Sequence, residues 1–275
     1  MNKRDKVFWH EAFFEALQLE FHQYTDSLEF VSEHPLSKEA LIMDVLVVKK
    51  KPGVVIEKNI GRIFREHNIF EYKSETDTLT ERDYNKVIAY ALLYSSFAPV
   101  PLSDVTVSYV VTMHPGKLLK YLHAERGLTV EMVGDGIYYI AGDVVPVQIL
   151  ESKLLSANEN LFLRSLRSNL THEDVTIMAE AYKVLKIYEQ RNVYLDRLVK
   201  ANADAFMEAM SMNDSDAMRK ILELADKRGW LRVSLKERDA ERDIEIAKRF
   251  LFLGRPIEEV AGALDLPVEA LSGLV

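Results

Sequence analysis

Apolar residues recur at helical spacing from residue 5 to residue 22, with Phe8, Ala12 and Leu19 and their neighbours on one side, and this predicts an amphipathic first helix. SLEFVSEHPL (27–36) reads as a strand ended by a proline. EALIMDVLVVKKK (39–51) is apolar and β-branched with a single acid, Asp44, inside it, and reads as a second strand. KPGV turns the chain, NIGRIFREHN (59–68) is a short helix or irregular insert, and IFEYKS (69–74) is a third strand. LTERDYNKVIAYALLYSSF (79–97) is a strong helix, with Thr80 as its N-cap and Glu81 and Asp83 in its first turn. VTVSYVVTMHP (105–115) is a further strand. The order is helix, three strands, helix, strand.

A short helix follows at 117–125, then three strands, LTVEMV, GIYYIAG and VVPVQIL, the first two joined by the turn Gly134-Asp135-Gly136. After Ser152 nearly every segment is helical. This shift predicts two units, residues 1–151 and an all-helical half over 152–275. The last segment, AKRFLFLGRPIEEVAGALDLPVEALSGL, stops a helix at Gly254, starts another at Pro256 and then has a helix-turn-helix cadence. A recognition helix presents Arg, Lys, Asn or Gln to bases. Here the residues after Gly262 include Asp265, Glu269 and Ser272 and no basic residue, so the segment reads as a packing or dimerisation element.

A chain of 275 residues is one large domain or two modest ones, with ample length for a core. The absence of cysteine excludes disulfides, thiolate metal sites and cysteine nucleophiles. No apolar run reaches membrane-spanning length, so the expectation is a cytoplasmic protein with no membrane partner. A net charge of −8 argues against a protein that coats nucleic acid, while leaving room for an enzyme with a local basic groove.

The charged pair in IFEYKS changes the picture most. Alternate strand residues share a face about 7 Å apart, so Glu71 and Lys73 point the same way out of an apolar strand. Burying charge is costly unless the charge is paired or coordinates a metal. The pair is therefore either an ion pair on a solvated face or a site. An Asp in one strand (Asp44) followed by Glu-x-Lys in the next (Glu71, Lys73), between two helices, resembles the PD-(D/E)XK nuclease superfamily, the restriction-endonuclease-like enzymes. Their core has the same order of helix, three strands, helix and strand. The resemblance covers roughly the first 115 residues, and the C-terminal stretch resembles that of transposase-associated members.

The resemblance implies an α/β fold with a restriction-endonuclease-like core, a small hairpin region and the helical half. It implies Asp44, Glu71 and Lys73 as catalytic residues, with Glu15 of the first helix as an additional acid. It implies Mg²⁺, or Mn²⁺ in its place, held by Asp44, Glu71 and the backbone carbonyl of Tyr72. Phosphodiester hydrolysis needs an activated water and neutralisation of charge growing on the phosphate, and paired carboxylates suit a hard cation. Lys73 would orient or help deprotonate the water, its pKa lowered by the cation. The implied substrate is DNA, with RNA less favoured, and a homodimer would cut two strands.

Composition alone gives about three acid-x-Lys triplets in such a chain, and two occur. The second, Glu151-Ser152-Lys153 with Asp143 upstream, sits where a strand ends and lacks a helix between its strands, so context favours Glu71. The sequence departs from the family in Met43, where the name-giving proline would stand, and in an insert of roughly 52–67. The compact basic run Lys49, Lys50 and Lys51 could neutralise phosphates or protect a strand end. Arg62 and Arg65 of the insert, with His67 and Asn68, could contact substrate or cover an edge. Lys86 shares a helix face with Tyr90; the alternative is that Lys86 is solvated while Tyr84 and Tyr90 pack in the core. The seven histidines show no metal-ligand spacing, and there is no phosphate loop, nucleophile elbow or zinc motif.

The expectation is thus a Mg²⁺-dependent endonuclease. Its rivals are a catalytically inactive nuclease-fold scaffold that binds a partner through the helical half, and a DNA-binding regulator that reads through its tail.

Overall fold

The structure is a computed structural model that describes residues 9–31, 46–185, 192–212, 221, 244, 247–248, 251, 256–263 and 266–271. Among these residues seven strands form one mixed sheet in an α/β arrangement. The first helix, α1 (Trp9–Glu20), buries Trp9, Ala12, Phe13, Ala16 and Leu17, the three-and-four spacing of an apolar stripe. Strands β1 (Leu28–Val31), β2 (Leu46–Lys50) and β3 (His67–Lys73) form an antiparallel meander, with Leu28 opposite Lys50 and Leu46 opposite Phe70. Asp44 lies outside the described residues, as do the other positions from 32 to 45 within the two expected strands.

Helix α2 (Glu81–Phe97) begins at a complete capping box. The Thr80 hydroxyl accepts from the Asp83 N–H, and the Asp83 carboxylate accepts from the Thr80 N–H, so two backbone donors at the helix start are satisfied reciprocally. The chain then crosses to β4 (Val105–Val111), parallel to β3 with Lys73 opposite Val111. All seven residues of β4 are buried, as expected for a central strand covered on both faces.

Helix α3 (Gly116–Ala124) and the hairpin β5 (Thr129–Gly134) and β6 (Ile137–Ala141) lead to β7 (Val147–Glu151). Strand β7 lies parallel to β4 with Val111 opposite Glu151, and β6 flanks it on the outside. Gly136 in the hairpin turn has φ +70°, and a Cβ there would stand 2.6 Å from the Glu151 carbonyl oxygen. Only glycine meets both demands without strain.

The two faces of the sheet carry separate cores. Val47, Ile69, Val107, Tyr109, Val111, Val147 and Ile149 meet α2 and α3 on one face. Val48, Phe70, Tyr72, Val110 and Leu150 meet α1 on the other, where Phe13 stacks on Tyr72 with ring centroids 4.7 Å apart. That second core also takes in α4 (Ala157–Arg164), α5 (His172–Leu185), α6 (Asn192–Ala201) and α7 (Ala203–Met212) through Leu163, Val175, Tyr182, Tyr194 and Phe206. Residues on both sides of position 151 therefore share one apolar core. The insert after β2 covers this same face: Ile56, Ile60 and Phe64 are buried, and the Gln148 amide donates to the Ile60 carbonyl.

Two short helices, Ile257–Ala263 and Val268–Leu271, gather Val260, Ala261 and Leu271 with Ala247 into a small separate cluster. No helix among the described residues is long and apolar enough to cross a membrane.

Candidate functional site

Glu71 and Lys73 point from the carboxyl end of β3 toward α2, as a strand period of two requires. They form an ion pair with Lys73 Nζ 3.2 Å from Glu71 Oε1. The first turn of α2 brings Asp83 to the same ammonium, 2.8 Å from Nζ. The Glu71 side chain is 5% exposed and that of Lys73 is 17% exposed, so the carboxylate is buried and the ammonium partly buried.

Burial alone would depress the Lys73 pKa. The hydrogen bond to Asp83 and the charges of Glu71 and Asp83 outweigh it, and the group lies above its ordinary value. Asp83 answers in the opposite sense. Burial pushes it up, but Lys73 and two hydrogen bonds from Thr80 hold it below the ordinary aspartate value. The protein by itself therefore keeps Lys73 as a firmly charged ammonium, in contrast to the lowered pKa expected beside a cation.

The strand also orients the Tyr72 carbonyl. Lys73 gives its own carbonyl to the Thr112 N–H at 3.2 Å, and successive carbonyls along a strand point to opposite edges. The Tyr72 carbonyl is thus directed to the edge away from β4, beyond the last described β2 partner pair, Leu46 and Phe70. Its side chain packs on the other face, against Phe13, with the phenol reaching the Leu166 carbonyl at 3.4 Å. Glu71 and the Tyr72 carbonyl are oxygen donors suited to a hard cation. Among the described residues no three His, Asp or Glu side chains are grouped to hold a metal ion; a full set would need Asp44.

Several expected site residues lie elsewhere. Glu15 is on α1, across the sheet from Glu71, and accepts the Tyr194 N–H at 2.8 Å in the first turn of α6. A carboxylate there offsets an otherwise unpaired helix-start donor and the positive end of the helix dipole. Lys49 stands opposite His67, at the far end of β3, six residues or about 20 Å from Lys73. It pairs with Glu29 at 3.5 Å, while Lys50 donates to the Val54 carbonyl at 2.9 Å and Lys51 is exposed in the following turn. Arg65 is at that end too, with its guanidinium on the Ser103 carbonyl. Asn68 is fully buried, accepting from the Arg65 N–H and the Thr106 hydroxyl and donating to Val48 and Arg65 carbonyls. His67 shares a 2.7 Å hydrogen bond with the Tyr94 hydroxyl.

Arg62 is exposed on the α1 face, where it lines a cleft of about 440 Å³ with Asp135, Tyr139 and Glu159. A second cleft of about 580 Å³ opens over Glu20, Lys58 and Phe162. Neither is lined by Glu71 or Lys73. Lys86 is exposed and sits over the Tyr90 ring at 5.5 Å from its centroid. It is one turn from Asp83, so of the basic residues expected to meet nucleic acid it is the one beside the Glu71–Lys73 pair. Tyr84 is buried and donates to Asp143 at 2.8 Å, a core role for both.

The sheet adds a group that sequence spacing set aside. Val111 stands opposite both Lys73 and Glu151, so the three side chains share one face and one level, at the carboxyl ends of three parallel strands. In open α/β sheets this is the end at which ligands bind. Glu151 accepts from His114 Nδ1 at 2.8 Å and from the Tyr138 hydroxyl at 3.4 Å. His114 fell inside the strand read over 105–115, whereas β4 ends at Val111 and leaves it in the turn that follows; its link to Glu151 needed the parallel crossover. Comparison with protein-family models, with curated proteins and with solved structures finds no match to this chain.

Proposed function

We propose that the protein is a metal-dependent nuclease that hydrolyses phosphodiester bonds of DNA, with a PD-(D/E)XK-type site at the carboxyl end of β3. The observation that carries this reading is the Glu71–Lys73 pair, 3.2 Å apart and largely buried, at the end of the last strand of an antiparallel meander, which runs parallel to the next strand. Asp44 and Glu71 would hold Mg²⁺, which supplies charge neutralisation at the phosphate and a more acidic water. Lys73, charged and fixed by Glu71 and Asp83, aligns the attacking water and binds a phosphate oxygen. Enclosure strengthens these electrostatic contacts. A homodimer acting on two strands accompanies this reading.

A second reading has its own support. Lys73 is clamped by two carboxylates, and Lys49, Lys50 and Arg65 are at the other end of β3. This arrangement suits a scaffold in which the ion cluster pins α2 to the sheet and the helical half meets a partner.

Cleavage of supercoiled, linear and single-stranded DNA with Mg²⁺, Mn²⁺ or EDTA separates the two. Asp44→Asn and Lys73→Gln serve as controls, each checked for folding by circular dichroism. The nuclease reading expects metal-dependent cutting that both substitutions reduce at least 10³-fold, a loss of about 4 kcal/mol of transition-state stabilisation. No cutting of any substrate by folded wild-type protein leaves the scaffold.

A further inference from the structure

We propose that His114 is the proton donor to the leaving oxygen and that Glu151 is its positioning residue; this rests on the nuclease reading. Three features of the fold define the pair. Glu151 is the last residue of β7, with its side chain 9% exposed, so its carboxylate is fixed by the sheet. It takes the His114 Nδ1 proton at 2.8 Å. A carboxylate accepts and never donates when ionised, which leaves Nε2 as the ring nitrogen available to a substrate. The Tyr138 hydroxyl donates to the same Glu151 oxygen at 3.4 Å and restrains it from the side. The outer edge of the ring lies over Gly116, where a Cβ would stand 3.0 Å from Cδ2 and 3.1 Å from Nε2. Glycine leaves room for that ring position. The His114 side chain is 57% exposed, so the group is held from behind and open in front.

The sheet sets Lys73 and Glu151 at one level, on the strands either side of β4. Lys73, Val111 and Glu151 are in register on adjacent parallel strands, which puts the β3 and β7 positions about 10 Å apart. In phosphoryl transfer the entering and leaving oxygens are on opposite sides of phosphorus. A donor on each side therefore serves the two ends of that group. Lys73 and Glu71 serve the entering side, and His114 serves the leaving side. Water oxygen bonds to phosphorus as the ester P–O bond breaks. The water proton leaves to solvent, and the departing oxygen takes the Nε2 proton of the imidazolium. The neutral ring keeps its Nδ1–H on Glu151 until solvent reprotonates Nε2.

The leaving group provides the test. Wild type, His114→Gln, Glu151→Gln and Lys73→Gln are compared on a short DNA duplex and on the same duplex with sulfur at the 3′- or the 5′-bridging position, since a thiolate departs without a proton. His114→Gln should cut ordinary DNA about 10²-fold more slowly or worse, as loss of general-acid catalysis predicts, yet stay within about tenfold of wild type on one of the sulfur substrates. Glu151→Gln should show a smaller loss with the same rescue, and Lys73→Gln should lose both substrates. Equal loss by His114→Gln on all substrates, or no loss, overturns the proton donor while the Lys73 result upholds the nuclease. A wild-type protein that cuts no substrate overturns both.

Discussion

At the scale of single residues, the Glu71–Lys73–Asp83 cluster makes stability depend on pH at both ends of the range. Lys73 lies above its ordinary value of 10.5, so its contribution is complete below that value and is lost as pH climbs through the raised one. Asp83 lies below its ordinary value of 3.8, so its contribution is complete above that value and is lost as pH falls through the lowered one. The stability difference between wild type and Asp83→Asn, measured by urea unfolding, should be flat from about pH 5 to pH 9 and shrink on either side. Thr80→Ala should cost about 1 kcal/mol by removing the cap. The shared direction of Glu71 and Lys73 was legible because a strand has a period of two. Asp83 was legible as a first-turn acid, but its contact with Lys73 depends on how residues 74–80 fold α2 back along β3, which no local pattern specifies.

At the scale of elements, buried Glu20 ties α1 to two others. It pairs with Lys58 of the insert at 3.0 Å and accepts the Leu163 N–H of α4 at 2.8 Å. Burial drives its pKa up, with Lys58 and the backbone donors pulling it back only in part. Lys58→Ala leaves an uncompensated buried carboxylate and should destabilise the protein by about 3 kcal/mol, read as a lower urea midpoint. Gly136→Ala combines a left-handed φ with a collision against Glu151 and should cost about 2 kcal/mol. Helix α2 was readable almost to the residue from its cap and period; strand β4 starts where its apolar run was read but ends at Val111, four residues short of the expected 115. The insert was not. Ile56, Ile60 and Phe64 are spaced four apart but fold as irregular chain with a single 3₁₀ turn, so their burial is set by the sheet beneath them.

At the scale of the whole molecule, the composition shift at residue 152 marks a change of secondary structure within one apolar core. Tyr194 donates its hydroxyl to the Phe162 carbonyl at 2.9 Å and stacks with Tyr182 at 6.1 Å, beneath α1. A chain ended at Glu151 leaves Phe70, Tyr72 and the inner side of α1 uncovered. It should bind a hydrophobic dye such as ANS and unfold without a sharp transition, where the full chain unfolds cooperatively. The order of elements was legible in the sequence, since each carries its own period. The neighbour relations were not: the placement of β7 between β4 and β6 follows from strand pairing across some forty residues, and it is this pairing that brings Glu151 level with Lys73.

The same parallel pairing has a kinetic consequence. Strands β1 to β3 meet through comparatively near neighbours in the chain, but β4 must close a loop of 38 residues to reach β3, and β7 one of 40 to reach β4. Loop closure is an entropic cost met before the contacts that reward it. On refolding, the meander can form while Glu71 and Lys73 still lack Asp83, His114 and Glu151 as neighbours. The assembled edge therefore belongs to the last stage of folding, and a chain caught earlier carries the charged residues without the arrangement that gives them a task.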